Sequence, residues 1–324
     1  MTTPIAVELW RGPAVESRHR VAVAVAEIGG RVTARVGDAE VPVFPRSAIK
    51  PIQAVPLVET GAADAFELGE AELALACASH SGEPMHTERV AAWLARIGLG
   101  EQDLECGAHA PLDREAAREL RRRGGTPSAL HNNCSGKHTG MLTTAVHRGE
   151  PTVGYLDPAH PVQRRVRAVF EELAGSPLPE PGVDGCGVPS WPLPLDRLAV
   201  AMANLCERPA AARLFAAMRA HPELVAGTGR LDTALMRARP DIVAKAGAEG
   251  VHVAVLPDRG LAVALKTEDG AARAADVALL AVLEHLVGSI ADHDRLAAFA
   301  FTPVRNTAGG VVGELKPAAG WPTP

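Results

Sequence analysis

Strand-like segments at both ends of this chain enclose a long helical stretch, and this arrangement constrains the fold more than any other feature. Residues 5 to 37 alternate apolar and polar side chains around a Gly-Gly pair, which predicts two or three antiparallel strands. The alternation returns late in the chain, in "GVHVAVLPD" and "GLAVALKTEDG", directly before a helical segment that begins "ARAADVALLAVL". The two ends therefore predict one sheet to which both contribute.

Between these ends, most segments are rich in alanine and leucine at helical spacing, for example "TERVAAWLARIGL" and "QRRVRAVFEELAG". We therefore predict an α/β fold of the α+β type, in which an antiparallel sheet of N- and C-terminal strands carries an inserted helical lobe. There are no repeats, so residues 1–324 are expected to form a single domain. We expect the sheet lobe at about 1–46 and 245–317, and the helical lobe at about 47–244.

The overall charge argues for a small-molecule partner. A net charge of −5 leaves no surplus of basic residues for binding nucleic acid or a membrane surface, so neither partner is predicted. The first residues, "MTTPIAVELWRGP", have no basic flank followed by an apolar run, and no segment reaches the roughly 18 apolar residues of a spanning helix. The expected location is cytoplasmic, and the five cysteines are expected to be reduced thiols or metal ligands.

Lysine is rare in this chain, because only five of the 33 basic residues are lysines. Arginine serves equally well on a solvated face, but it stays protonated and cannot act as an amine base. Each lysine is therefore a candidate for chemistry, and the alternative for each is an ordinary surface residue.

The loop "HNNCSGKHTG", residues 131 to 140, concentrates groups that could bind a metal. It is not a phosphate-binding P-loop, because His131 stands where that motif needs glycine and His138 where it needs serine or threonine. Cys134, together with Cys186 of "DGCGVP" and a nitrogen ligand, could instead form a tetrahedral zinc site. The alternative is that both cysteines are buried free thiols.

Two segments contain residues typical of serine acyl-transfer enzymes. "PRSAIKPIQ" contains Ser47 and Lys50 at a spacing that places both on one side of a helix, so the amine could act as base for the hydroxyl. The alternative is a helix-capping serine beside a surface lysine. "ALKTEDG", with Lys266, resembles the Lys-Thr-Gly element of penicillin-recognising enzymes, and "CASHSGEP" offers Ser79 as a second serine.

Over nearly its whole length the chain resembles the asparaginase II family, the class 3 or rhizobial-type L-asparaginases. The similarity runs through "VESRHR", "RSAIKPIQ", "ASHSGEPMH", "HNNCSGKHTGML", "YLDPAHPVQ", "DGCGVPSWPLPL" and "AKAGAEGV". This resemblance implies a fold similar to that of serine β-lactamases and penicillin-binding proteins. It also implies hydrolysis of the side-chain amide of L-asparagine to L-aspartate and ammonia, and it implies a homodimer.

The resemblance further implies roles for individual residues. The two Ser-Lys tandems of the family correspond to Ser47 with Lys50 and to Ser79 with Lys266, with Lys245 as the alternative second lysine. Ser47 is expected to be the nucleophile and Lys50 its base, although the roles of the two serines can be exchanged.

The zinc ligands of the family correspond to Cys134, Lys137 and Cys186, with water completing the shell and with Lys137 preferred to His138. Arg46 and Asp184 are the candidates for binding the charged carboxylate and ammonium groups of the substrate.

Two other functions are compatible with the same residues. A β-lactamase or esterase-like hydrolase would share the Ser-x-x-Lys spacing. A non-catalytic zinc-binding module would need Cys134 and Cys186 but would have no use for Ser47 and Lys50.

Overall fold

The structure is a computed structural model that describes residues 2–288, 290 and 294–322. The chain divides into two compact units. The sheet unit consists of Met1–Ala48, Leu193–Asn204 and Ala234–Pro324, and the helical unit consists of Ile49–Pro192 and Leu205–Thr233.

The secondary-structure elements are as follows. The strands in the described residues are β1 (Ile5–Arg11), β2 (Ala14–Glu27), β3 (Arg31–Val36), β4 (Pro42–Val43), β5 (Gly182–Val183), β6 (Pro189–Ser190), β7 (Leu193–Pro194), β8 (Val243–Ala246), β9 (Val251–Leu256), β10 (Leu261–Thr267), β11 (Thr302–Arg305) and β12 (Val311–Pro317). The α-helices there are α1 (Lys50–Glu59), α2 (Ala62–Ala65), α3 (Glu70–Ala76), α4 (Pro84–Arg96), α5 (Arg114–Arg122), α6 (Ser135–Arg148), α7 (Pro161–Ala174), α8 (Leu195–Asn204), α9 (Pro209–Ala220), α10 (Pro222–Val225), α11 (Leu231–Ala238), α12 (Ala272–Val287) and α13 (Asp294–Ala300). None of these helices is long and apolar enough to cross a membrane.

One antiparallel sheet dominates the sheet unit, in the order β11-β12-β1-β2-β10-β9-β8, with β3 paired to β2. The N-terminal strand β2 lies directly beside the late strand β10, so the predicted sheet built from both ends of the chain is confirmed. The predicted Gly-Gly turn is also present, since Gly29 and Gly30 both have a φ of +85°, a conformation that glycine adopts without a steric penalty.

The two faces of this sheet carry different side chains. His252 of β9 lies 3.4 Å from the Asp276 carboxylate of α12, so it marks the face on which α12 packs. Residues paired across antiparallel strands share a face, and successive residues alternate between faces. Lys245 pairs with Val253, and Lys266 pairs with Val251. Both lysines therefore lie on the face opposite to α12.

The helical unit is built around α6, which contacts α1, α3 and α4. Residues 135–145 of this helix are all buried. A Cβ atom at Gly136 would lie 2.4 Å from the carbonyl oxygen of Leu75 in α3. Glycine at this position therefore lets the start of α6 approach the backbone of α3 more closely than any other residue would.

Candidate active site and metal-binding residues

The start of α6 places Cys134 and Lys137 in the interior of the helical unit, where both side chains are buried. Asn132 shapes the preceding turn, because its side-chain oxygen accepts a hydrogen bond of 2.9 Å from the Cys134 amide. Its side-chain nitrogen donates to the Cys106 carbonyl oxygen at 2.8 Å. Asn132 therefore fixes the direction in which the chain enters the helix, and with it the position of Cys134.

Cys186 reaches the same group from the short hairpin of β5 and β6. Gly187, the next residue, has a φ of +88°, which favours glycine, and Asp184 accepts a hydrogen bond from the Gly187 amide through its carbonyl oxygen at 2.8 Å. The Lys137 ammonium donates to the Cys186 sulfur at 3.0 Å. The structure thus brings together the three residues predicted to bind zinc.

The electrostatics of this group favour a thiolate at Cys134. Its pKa lies well below the usual range, chiefly because Cys186 donates a hydrogen bond to its sulfur, and also because the Lys50 and Lys137 ammonium groups are near. Burial alone would lower the pKa of Lys137, but the adjacent Cys186 and Cys134 sulfurs outweigh burial and raise it. Positive and negative charges therefore compensate each other in a buried site.

Two thiolate sulfurs are ligands that zinc prefers, and the Lys137 nitrogen could join them only after losing its proton. In the described residues 2–288, 290 and 294–322, no group of three or more His, Cys, Asp or Glu side chains could hold a metal ion. Beside Cys134 and Cys186, the described residues therefore offer no third ligand of these four types, and Lys137 is the nitrogen within reach of the Cys186 sulfur. His138, the other nitrogen considered from the sequence, has its Nδ1 2.8 Å from the hydroxyl of Tyr155.

Lys50 is the first residue of α1, and only 1% of it is exposed. Its ammonium donates to the carbonyl oxygens of Ala78 and Asn133 and, at 3.1 Å, to the sulfur of Cys134. Lys50 therefore connects the metal loop, residues 131–137, to the backbone beside Ser79.

Ser79 follows α3 and is 7% exposed. Its amide donates to the Val225 carbonyl oxygen at 2.8 Å. Its hydroxyl is buried and has no hydrogen-bond partner within the described part of the chain. A buried hydroxyl without a partner is unfavourable for folding and is typical of a group reserved for a ligand or a reaction.

In the sheet unit, Arg46 and Ser47 lie in a 3-10 helix, Arg46–Ile49, that leads directly into α1. Ser47 is partly exposed. Arg46 has a φ of +52°, in the left-handed region that a residue with a Cβ atom adopts only at a cost. The backbone immediately before Ser47 is therefore strained.

The end of β8 packs against this turn. A Cβ atom at Gly247 would lie 2.8 Å from the Pro45 carbonyl oxygen and 3.3 Å from the Ala48 amide nitrogen. Lys245, two residues earlier, is 1% exposed. Within the sheet unit, β8 therefore brings a buried lysine close to the segment that carries Ser47.

Lys266 is in a different environment. It lies on β10, between β2 and β9, and it is only partly buried. Its ammonium donates to the Thr267 carbonyl oxygen. Burial lowers its pKa, while the carboxylates of Glu249, Asp269 and Glu268 oppose that change.

Comparison with known proteins identifies the family. The sequence model of the L-asparaginase II family matches residues 7–317. The chain belongs to the L-asparaginase II family. No curated protein matches the sequence. Among solved structures, a β-lactamase from Mycobacterium bovis is 16% identical, with a TM-score of 0.41, over 86% of this chain and 94% of that chain. That similarity is too distant to support an argument about this L-asparaginase II protein.

The sequence of this L-asparaginase II protein did not show which hydrogen bonds hold the metal loop in place. Asn132 and Asn133 were visible as neighbours of Cys134, but nothing in their spacing shows which backbone groups they bind. The contact between Lys50 and Cys134 was also missed, because 84 residues separate them and only the packing of α1 against α6 brings them together.

Proposed function

We propose that this protein is an L-asparaginase that hydrolyses the side-chain amide of L-asparagine to L-aspartate and ammonia through a serine acyl-enzyme. Membership of the L-asparaginase II family supports an amide hydrolase with a small-molecule substrate. The observation that carries the serine mechanism is Lys50, a buried amine that lies one helical turn after the partly exposed Ser47. As the base, this amine must be neutral when it accepts the proton.

The proposed reaction has two steps. The Ser47 oxygen attacks the amide carbon while its proton passes to Lys50, and that proton then leaves with ammonia as the C–N bond breaks. Water next attacks the resulting ester, loses a proton to the lysine and releases aspartate as the proton returns to Ser47. Ser79 relays protons, and its unpartnered hydroxyl supports that role.

We propose Lys245 rather than Lys266 as the lysine that assists Ser79. Lys245 is the more deeply buried, and the strand that carries it approaches the turn of Ser47. Lys266 is only partly buried, and burial lowers its pKa despite the opposing carboxylates of Glu249, Asp269 and Glu268, so it is retained as the alternative to Lys245.

For recognition of the substrate we propose Arg46 and Asp184, which would bind its carboxylate and ammonium groups. We propose that Cys134, Lys137 and Cys186 bind zinc, with water as the fourth ligand. The bound ion would supply a fixed positive charge in a site where few groups are solvated. The hydrogen bond between Lys50 and Cys134 holds the loop of Cys134 against Lys50. Lys50 thereby stays directed toward the Ala78 carbonyl oxygen, beside Ser79.

The test is ammonia release from L-asparagine by the purified protein, measured for wild type, Ser47→Ala and Ser17→Ala. Ser17 is a partly buried serine of β2 and serves as the matched control. We expect Ser47→Ala to lose kcat by a factor of roughly 10⁴ or more with unchanged folding, and Ser17→Ala to remain active. An inactive wild type that opens a β-lactam ring would instead make the protein a lactamase-like hydrolase.

We also propose that the protein is a cytoplasmic homodimer, as members of its family are expected to be. Light scattering after size exclusion measures the mass directly, and a mass of one chain at assay concentration would contradict the dimer. Cell fractionation tests the location.

A further inference from the structure

His80, the residue after Ser79, is fully buried, and its hydrogen bonds define the state of its ring. The Gly82 amide donates to its Nδ1 at 3.2 Å. A nitrogen that accepts a hydrogen bond carries no proton, so the ring proton is on Nε2. Nε2 lies 2.9 Å from the Ser135 hydroxyl oxygen, to which it donates. Ser135 in turn donates to the Leu130 carbonyl oxygen at 3.0 Å.

A second histidine restrains the plane of this ring. His86 stacks on His80 with ring centroids 4.8 Å apart and planes 10° from parallel. His86 has the same tautomer, because its Nδ1 accepts from the Glu83 amide at 3.1 Å and its Nε2 donates to the Glu223 carbonyl oxygen at 2.8 Å. The pKa of each ring is lowered, mainly by burial, so both are neutral. The stack therefore sets the direction of the His80 N–H bond.

His80 joins the segment of Ser79 to the start of α6 by two bonds. Its backbone amide donates to the Asn133 carbonyl oxygen at 3.1 Å, and its ring donates to Ser135. The Ser79 hydroxyl has no partner of its own in the described residues. The position of that hydroxyl consequently depends on how its neighbours in the chain are held.

We propose that His80 is a positioning residue for the reaction, and that its hydrogen bond to Ser135 fixes Ser79 relative to the metal loop. This inference rests on the proposed asparaginase function. It extends that function by assigning a task to a histidine and a serine that neither touch the substrate nor bind the metal. If Ser79 is held in this way, the rate of the chemical step depends on the bond, whereas binding of the substrate depends on it only weakly.

The chain allows the two bonds of the ring to be separated. His80→Asn retains an acceptor for Gly82 but is too short to reach Ser135, whereas His80→Gln places an amide N–H near the position of Nε2. Ser135→Ala removes the acceptor. Thr143→Ala is the matched control, because it removes another buried hydroxyl of α6, one that donates to the Thr139 carbonyl oxygen at 2.7 Å.

The measurements are kcat and KM for L-asparagine, together with thermal stability and zinc content for every variant. We expect His80→Asn and Ser135→Ala each to lower kcat about tenfold, the effect of one buried hydrogen bond, with KM changed less than about twofold. The double variant should also lose about tenfold rather than about a hundredfold, because both changes break the same bond. His80→Gln should stay within about threefold of wild type, and Thr143→Ala should lose stability but keep kcat.

Several results would overturn the proposal. A hundredfold loss in the double variant would mean that the residues act independently, and unchanged kcat in Ser135→Ala would mean that the bond has no role in the rate. A loss of kcat in Thr143→Ala equal to that in Ser135→Ala would show that general destabilisation is the cause. If the wild type releases no ammonia, the asparaginase function itself fails and this inference falls with it. An active wild type with unaffected variants refutes only the inference.

Discussion

In the helical unit the candidate site residues are joined to one another by side-chain hydrogen bonds, whereas in the sheet unit they depend on the close approach of two backbone segments. Lys50 bonds to Cys134, and Lys137 bonds to Cys186. Ser47 instead follows the strained Arg46, beside a glycine that has no room for a Cβ atom. We therefore expect the helical unit to be sensitive to changes of charge and hydrogen bonding, and the sheet unit to changes of volume.

The largest expected effect concerns the lysines. Lys50→Arg and Lys245→Arg should each lower kcat by roughly 10²- to 10⁴-fold, because a guanidinium cannot accept a proton and a general base contributes about that much. Lys266→Arg is the control from the same face of the sheet and should retain activity within about threefold. Steady-state ammonia release measures all three. Loss of activity in Lys266→Arg with retention in Lys245→Arg would restore Lys266 as the second lysine.

The second prediction tests the metal-binding role of the helical unit. Cys134→Ser should lose zinc, whereas Cys106→Ser should keep it. The control is apt because Cys106 is also buried, and burial raises its pKa to about 12, which favours the neutral thiol over the thiolate that a metal needs. Elemental analysis of the purified proteins gives zinc per chain.

Removal of zinc by a chelator should raise KM for asparagine by about tenfold and lower kcat less, if the metal lies beside the reaction. A native protein without zinc would return Cys134 and Cys186 to the role of buried thiols. Zinc that is lost in His138→Ala but kept in Lys137→Ala would overturn the assignment of the third ligand.

Substitution of two glycines tests how much side-chain volume each unit tolerates at a close backbone contact. Gly247→Ala in the sheet unit and Gly136→Ala in the helical unit both place a Cβ atom against backbone, at 2.8 Å from Pro45 and 2.4 Å from Leu75 respectively. Each should lower the free energy of unfolding by about 1–3 kcal/mol. Gly310→Ala is the control, since its nearest contact would be 3.4 Å from the Asn306 side chain.

The same two glycine variants should differ in which property they change, zinc content or kcat. Gly136→Ala should reduce zinc content because it displaces Lys137, whereas Gly247→Ala should reduce kcat and leave zinc unchanged. Urea unfolding, zinc analysis and kinetics on one preparation distinguish these outcomes. Equal zinc loss in both variants would contradict the contrast between the units.

The smallest expected effect is on the pH dependence of stability. The pKa of His86 is lowered from 6.5, mainly by burial, so the unfolded chain binds a proton more readily than the folded chain does. The stability that the neutral histidine contributes is therefore fully present above about pH 6.5. Below that pH, the free energy of unfolding falls by up to about 1.4 kcal/mol per pH unit for each such histidine. His80, which also faces Lys50, His109 and His131, adds a second contribution of the same sign.

His86→Gln should reduce the change of the free energy of unfolding with pH, measured by urea unfolding between about pH 7.5 and 5.5. These limits lie about one unit either side of the ordinary histidine pKa. His252→Gln in the sheet unit is the control for the removal of another buried histidine. An unchanged slope in His86→Gln would mean that other groups control the acid sensitivity.

Much of the fold could be predicted because its pattern is local. Alternation over β2 and β10 and the Gly29-Gly30 turn identified strands of the sheet, and their places at the two ends of the chain predicted one shared sheet but not the order of its strands. The family resemblance supplied the site residues, and the structure brings Cys134, Lys137 and Cys186 together.

The remaining features depend on contacts between residues that are distant in sequence. The left-handed backbone at Arg46 has no signal in residue type, because arginine does not favour that conformation. The bond between His80 and Ser135 joins the segment after α3 to the start of α6, and the separation of these residues in the chain gives no information about their separation in space. The register of the sheet was likewise not visible in the sequence, and it puts Lys245 and Lys266 on one face but only Lys245 on an edge strand.

The position of β2 in the middle of the sheet has a consequence for synthesis on the ribosome. β2 emerges among the first residues, but its partner β10 follows the entire helical unit in the chain. Until β10 arrives, one edge of a strand with a buried, apolar run stays unpaired, which makes the nascent chain open to pairing with other chains. This edge of β2 therefore closes only after translation passes residue 267, and a chain truncated before that point would lack the partner that closes it.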